Sequence, residues 1–507
     1  KAAHHPAQNP ATAPVAVGAI QVTATLRTRF GTDVEIVFEP GCDTDKQIPV
    51  LGAPTIADHD GRPGLRLDHY AGLDWSGEII CTTHTDEATM LTFGAPAPGL
   101  EAGRYSVRAS TVFTAPNTGE YEFSLVQIGR ARVSLDGVVV IDGIASPPPR
   151  GDTFLGFGSA PAVATVAVEA GRAYDLVVEY TTDRAPVAGA FTIGGRIKPD
   201  AGMLDRAVAA AAAADAVVVV VGTNDDWETE GVDRDTMDLP GAQDELIRRV
   251  VGANSRTAVL VNTGSPVTMP WADTTPAIVQ MWFGGQEMAE AAVDVLVGDD
   301  EPSGRLPTTF PLRLEHNPSF GNFPGEDGEV RYGEGLLMGY RWYETRHLPV
   351  RFAFGHGCSY TTFDRGPVRV TTDDGNGNVT LEVDVTNTGA RRGADVVQCY
   401  VRPPHSDVMR PAQELKAFEK IWLDPGERAT VTLQLDPRSF AHWSTGDPGR
   451  DARDDRSAAT AAVQARSTRA RTPRGWAVVG GAYTIAVGHA CDAIDSTVTI
   501  EVGAQSL

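Results

Sequence analysis

The sequence predicts a multidomain protein of mixed α/β and all-β class: an α/β sandwich interrupted by an inserted β-sandwich and followed by an immunoglobulin-like β-sandwich. Three observations carry this. Residues 204–221 switch from near-pure alanine, the strongest helix former, to the unbroken β-branched run Val217–Val221 expected of a buried strand. Residues 45–198 read as short alternating strands separated by turns, and the same alternation returns after Gly366. At 507 residues the chain also exceeds what one hydrophobic core can organise.

In chain order, residues 1–44 are a polar leader and the start of an α/β pattern, with Ile20–Phe30 as a short helix and Val34–Phe38 as a strand before Pro40 and Gly41. Residues 45–198 supply RYSVRASTVF, GEYEFSLVQI, ARVSLDGVVVIDG, ATVAVEAG and YDLVVEYT as sandwich strands. From 199 to 365 the α/β pattern resumes. Val217–Val221 is expected as a central strand buried on both faces. AQDELIRRVVGAN and GQEMAEAAVDVLVG have helical periodicity, and TAVLVN and AIVQMWF read as strands. Residues 301–363 have little periodicity and should wrap a surface. Residues 366–507 form the second sandwich, with the Arg/Ala/Asp/Ser-rich stretch 447–475 read as a disordered insertion in a hairpin.

The net charge of −23 and pI near 4.9 oppose binding to nucleic acid or to anionic membrane. No apolar run reaches the ~20 residues of a membrane span. The five cysteines are scattered without zinc spacing and read as buried free thiols, so no metal and no cofactor is expected. Unpaired cysteines and the absence of a visible signal peptide favour a cytoplasmic location. In open α/β sheets the carboxyl end of a strand faces the ligand crevice. That end here carries Asn224, Asp225, Asp226, Trp227, Glu228, Glu230, Asp233 and Arg234.

The stretches ETEGVDRDTMDLPGAQDELI, VLVNTGSPVTMPW, GDDEPSGRLPTTFP, YGEGLLMGYRWYE and FAFGHGCSYTTF, in this order between residues 228 and 363, resemble glycoside hydrolase family 3, the β-glucosidase group. RPAQELKAFEKIWLDPGE resembles the fibronectin type III-like domain that follows in that family. Residues 45–198 are similar to a protective-antigen-type domain inserted in some members, and VEIVFEPGCDTD resembles the sequence just before that insertion. The resemblance implies an exo-acting, retaining hydrolase of terminal β-D-glucosyl residues, with a β-linked oligosaccharide or an aryl or alkyl glucoside as substrate. It further implies a preceding (β/α)8 barrel carrying the nucleophile. The expectation is therefore that this chain lacks the barrel, holds no nucleophile, and is inactive unless a barrel joins it in cis or in trans. APVAVGAI is read as a degraded first strand, and homo-oligomers are allowed. A non-catalytic carbohydrate-binding or scaffold protein, or a β-xylosidase-type member, are the alternatives.

Retaining glycosidases need two carboxyl groups, one to attack the anomeric carbon and one to protonate the leaving oxygen. By spacing alone the acidic segment is a solvated loop. The resemblance to the E-G-x-D-R pattern assigns the general acid/base to Glu230. Glu228 is the local rival, because residues two apart on an extended segment share a face. Asp233 and Arg234 are expected as a structural ion pair or loop brace. Trp227 is a candidate for stacking on sugar, and Phe154, with Phe157, for lining the site from the inserted sandwich. Ser265 and His356 are read as structural.

Overall fold

The computed structural model describes residues 14–185, 188–224, 226–230, 233–406, 408–444 and 474–507. The expected insertion at 447–475 lies outside the described residues except for Arg474 and Gly475. The chain divides into two compact units: residues 1–265 with 270–290, and residues 266–269 with 291–507.

The first unit begins with a helix, Pro14–Phe30. Proline is suited to its first position, and Gly31, with φ +56°, ends it by donating its N–H to the Arg27 carbonyl. APVAVGAI is therefore mostly helix and not a degraded strand. The expected strand Val34–Phe38 is irregular, with Val37 exposed, because no strand among the described residues pairs with it.

Helix Met203–Ala213 leads into the strand Val217–Gly222, as expected. The strand is not central, however. A three-stranded parallel sheet runs Val217–Gly222, Thr257–Asn262, Ala277–Gln280 in spatial order. The strand buried on both faces is the middle one, where Val259, Leu260 and Val261 are fully enclosed, while Val218 is 37% exposed. Among the described residues no strand hydrogen-bonds the outer edge of Val217–Gly222. A β-branched run alone does not distinguish an edge from a centre. The crossover helix Gln243–Ala253 makes the parallel pairing possible and packs against Met203–Ala213.

Between the first helix and Met203 lie two antiparallel sheets sharing one core. One contains Ile79–Thr85, Leu65–Ala71, Tyr105–Thr114, Ala173–Thr181, Arg130–Leu135 and Val138–Asp142 in that order, with the short Ile56–Ala57 paired to Tyr105–Thr114. The other contains Thr89–Phe93, Ala188–Ile197, Gly119–Ile128 and Ala162–Val168. Phe113, Tyr121, Phe123, Tyr180 and Phe191 fill the space between them, with Phe113 and Phe123 edge-to-face at 5.2 Å. The chain enters and leaves this unit side by side: Leu51 N–H donates to the Ile193 carbonyl at 3.0 Å and Gly195 N–H to the Pro49 carbonyl at 2.8 Å. Gly194 admits this approach, since a Cβ there would lie 2.4 Å from the Ile48 carbonyl oxygen.

In the second unit, Phe363–Arg365, Arg369–Asp373, Val379–Asn387 and Arg428–Leu435 form one sheet, and Glu414–Leu423, Gly393–Arg402, Gly481–Ala490 and Ala493–Val502 the other. Their core includes Leu381, Val397, Cys399, Leu433, Phe440 and Tyr483. The segment expected only to wrap a surface also adds to a core. Tyr340 stacks on Phe354 at 4.5 Å, and both pack on a cluster with Ala353, Tyr400, Ala486 and Cys491. All five cysteines are free; Cys399 and Cys491 are buried as expected, but Cys358 is exposed.

Asp384 sits on the outer face of the first of these sheets and accepts from Arg369, Arg428 and Thr430 at 2.6 to 2.7 Å, which holds its carboxyl far below the ordinary aspartate range. A carboxyl whose folded pKa is depressed contributes stability above its unfolded pKa, about 3.9, and loses it as pH falls further. Asp384→Asn should therefore lower the melting temperature at pH 7, and the difference from wild type should shrink steadily below about pH 4 in a pH series of melting curves.

Candidate functional site

The site forms where the first parallel strand ends. Thr223 N–H still pairs with the Asn262 carbonyl at 3.1 Å, and then the chain turns: the Asn224 carbonyl accepts from the N–H groups of Trp227 and Glu228, both at 2.9 Å. The Asn224 side chain closes the turn by accepting from Asp226 N–H at 3.0 Å. The chain from Asn224 to Glu228 is thus tightly turned.

Glu228 is half-buried and engaged. Its Oε1 accepts from Thr223 Oγ1 at 2.6 Å and faces Arg234 Nη1 at 3.4 Å. Its Oε2 lies against Gly264, where an added Cβ would come within 2.6 Å of it. Glu230 is exposed, and its carboxylate has no hydrogen-bond or ion-pair partner among the described residues. Arg234 donates through Nη2 to the Asp238 carbonyl at 3.0 Å and through Nη1 to Ser265 Oγ at 3.3 Å. Its ionic partner is Glu228, not the exposed Asp233. Burial lowers the Arg234 pKa, with Glu228 and then Asp238 pulling the other way; an arginine remains charged regardless.

Trp227 is half-buried with its polar edge used. Nε1 donates to the Thr44 carbonyl at 2.8 Å, and Lys46 Nζ lies 5.5 Å from the ring centroid. Thr44 sits between Asp43 and Asp45, which share Arg196 with Glu122, at 2.9, 3.1 and 3.1 Å. Burial pushes the Asp45 carboxyl up, with Asp43 adding to it and Arg196 opposing. Trp227 therefore ties the turn to the stems of the first sandwich. Phe154 occupies the short helix Thr153–Gly156 with φ +50°, half-buried, and Phe157 beside it is 57% exposed. Among the described residues neither makes a ring contact or hydrogen bond with the Glu228–Arg234 segment. Ser265 Oγ accepts from Arg234, and His356 stacks on Phe352 at 5.0 Å.

Sequence reasoning missed Gln243. It is buried at the start of its helix, where its Oε1 accepts from Gly222 N–H at 2.7 Å and its Nε2 donates to the carbonyls of Gly222 and Pro240 at 2.9 Å. A polar residue in the first turn of an amphipathic helix gives no signal that it faces inward. Gly241, with φ +64°, lets that turn pass the Asp43 carbonyl, which a Cβ would approach to 2.3 Å.

An acidic turn at the carboxyl end of a parallel strand lies where open α/β sheets commonly place their ligand crevice, here in a multidomain chain with two β-sandwiches. Residues 84–360 match the glycosyl hydrolase family 3 C-terminal domain and residues 395–452 the fibronectin type III-like domain. The chain belongs to glycosyl hydrolase family 3. It is 38% identical over 431 residues to "Probable beta-glucosidase I" of Aspergillus terreus, covering 80% of this chain and 51% of that protein. It is 36% identical over 413 residues to a beta-glucosidase of Rhizobium radiobacter, covering 80% and 49%. Its fold matches the crystal structure of beta-glucosidase from Kluyveromyces marxianus in complex with glucose with a TM-score of 0.76 and 30% identity, covering 96% of this chain and 56% of that one. The chain spans about half the length of the curated relatives it matches.

The Trp227 link yields a prediction. Trp227→Phe removes one hydrogen bond, worth about 1 kcal/mol, and should speed amide exchange in residues 42–46 roughly 2- to 10-fold by mass spectrometry. Unchanged exchange would show that the bond does not hold that stem.

Proposed function

We propose that this chain is part of a retaining, exo-acting β-glucosidase and that Glu230 is its general acid/base. The observation that carries the reading is the division of labour between neighbouring carboxylates. Glu228 Oε1 is held by Thr223 and Arg234, whereas Glu230 is exposed and able to meet a ligand. An acid/base must donate a proton to the leaving oxygen and then take one from the attacking water, which a carboxylate locked to protein groups cannot do without breaking them. The substrate class proposed is a neutral β-linked glucoside, in keeping with the relatives' names, and the nucleophile is proposed to come from a barrel outside these residues.

The domain plan proposed is residues 1–44 and 199–365 as the α/β sandwich, 45–198 as an insertion of protective-antigen type, and 366–507 as the fibronectin type III-like domain. The adjacency of the entering and leaving chain at the Val50–Gly194 bridge supports the insertion. Replacing 45–198 with a short Gly/Ser linker should leave a soluble, cooperatively folding remainder; aggregation would count against an independent unit.

Activity is tested with an activated aryl β-glucoside and a poor-leaving-group glucoside, using the chain alone and mixed with a separately expressed family barrel. Turnover is expected only with the barrel. There Glu230→Ala should slow the poor-leaving-group substrate by ~10²-fold or more, spare the first step with the activated one, and respond to azide. Turnover by the chain alone, abolished by Glu230→Ala, would place a nucleophile within these residues. Glycan binding without turnover in any mixture would favour the non-catalytic alternative, and preference for an aryl β-xyloside the β-xylosidase type.

A further inference from the structure

We infer that Glu228 and Arg234, seated on Gly264, form a positioning clamp that fixes the direction in which Glu230 is presented, a role that rests on the acid/base reading of Glu230. Glu228 stands two residues before Glu230 and Arg234 four residues after it, so their contact spans the stretch that carries the exposed carboxylate. Each side chain is only 14% exposed, while Glu230, Asp233 and Asp235 are exposed. The clamp draws on separate chain segments. Thr223 supplies the short bond to Oε1, Arg234 reaches the same oxygen and also Ser265 and the Asp238 carbonyl, and Gly264 forms the floor under Oε2.

A Cβ at position 264 would meet Glu228 Oε2 at 2.6 Å and Phe283 Cε2 at 2.7 Å, so a methyl group there requires the end of one or both side chains to shift and disturbs the seat of the carboxylate. A half-buried ion pair is a weak source of net stability compared with apolar packing of the same volume. What it supplies is fixed geometry, and catalysis is steep in geometry: a misplacement of about 1 Å can cost ~10²-fold in rate. Glu228 acts through Glu230 and exchanges no proton with substrate.

The test uses the whole 507-residue chain with three single variants that disturb the clamp in different ways: Gly264→Ala by sterics, Glu228→Gln by charge, and Arg234→Met by loss of the cation. Hydrogen exchange of residues 226–230 is read first because it needs no turnover. It should accelerate about 5- to 50-fold in Gly264→Ala and Arg234→Met, less in Arg234→Lys, with peptides of residues 366–440 unchanged as the control for folding. In the barrel mixture, all variants should lower kcat for a poor-leaving-group glucoside by roughly 10- to 100-fold with little change in KM, and Arg234→Lys should recover part of the loss. Azide should reactivate Glu230→Ala but not Glu228→Ala. Unchanged exchange in both Gly264→Ala and Arg234→Met would overturn the clamp whatever Glu230 does. Azide reactivation of Glu228→Ala would make Glu228 the proton donor and also overturn it. Faster exchange in the variants together with an azide-insensitive Glu230→Ala would keep the clamp and reject the acid/base reading instead.

Discussion

Everything at the candidate site depends on how the strand Val217–Gly222 is brought to an end. A Cβ on Gly222 would lie 1.9 Å from the Asn262 carbonyl oxygen, so only glycine lets the first two parallel strands stay together to their last residue. Gln243 then satisfies both backbone groups of Gly222 and reaches the Pro240 carbonyl. One buried amide thus pins both ends of the intervening segment, and unsatisfied peptide groups at such a buried place would cost about 1–3 kcal/mol each. The acidic turn is a closed loop of fixed span, which is the precondition for any side chain in it to hold a defined direction.

A second constraint lies under the turn. Arg196, 18% exposed, holds Asp43, Asp45 and Glu122 together where the chain enters and leaves the first sandwich. Crowding three carboxylates around one guanidinium is tolerable only because the cation is there, and removing it would leave uncompensated half-buried charge, which costs several kcal/mol. The raised Asp45 pKa is the residue of that imbalance, with burial first and Asp43 second among its causes. Since Thr44 lies between the two aspartates and accepts from Trp227, the ionic cluster and the acidic turn are joined through its backbone carbonyl.

Much of the architecture was legible because it rests on local signals. Tyr105–Thr114 and Val379–Asn387 alternate buried and open residues as their sequences do, and the helices Met203–Ala213 and Gln243–Ala253 begin and end within a residue or two of the expected positions. What was not legible rests on contacts made at a distance. The strand Ala188–Ile197 hides behind five glycine and alanine residues, of which Gly194 and Gly195 admit the close approach of Ile48–Leu51, and Ile79–Thr85 is largely polar because it forms the sheet's edge. At the site, the resemblance singled out Glu230, Asp233 and Arg234, but only geometry could show that Arg234 answers to Glu228 and that Trp227 faces the sandwich stem. Neither Gln243 nor Gly264 belongs to an acidic or aromatic pattern, and their importance comes entirely from what lies within 3 Å of them.

The charge of the chain bears on what such a site can accept. Glu230, Asp233, Asp235 and Asp238 are exposed around the turn in a molecule of net charge −23, while the nearby Arg234 is turned inward onto Glu228. The potential over the turn is therefore negative, and an anionic ligand such as a phosphorylated or uronic sugar would be repelled on approach. A neutral glycoside feels no such penalty and gains none of the long-range steering that charge gives. Under the proposed glucosidase reading, discrimination among neutral sugars would come from hydrogen bonds made at contact, where a missing or misplaced hydroxyl leaves a site group unpaired. On that reading a rigid presentation of the few groups that meet the ligand is favoured, and a loop pinned by Gln243 at its ends and by Glu228 and Arg234 within it supplies rigidity with the Arg234 charge turned onto Glu228.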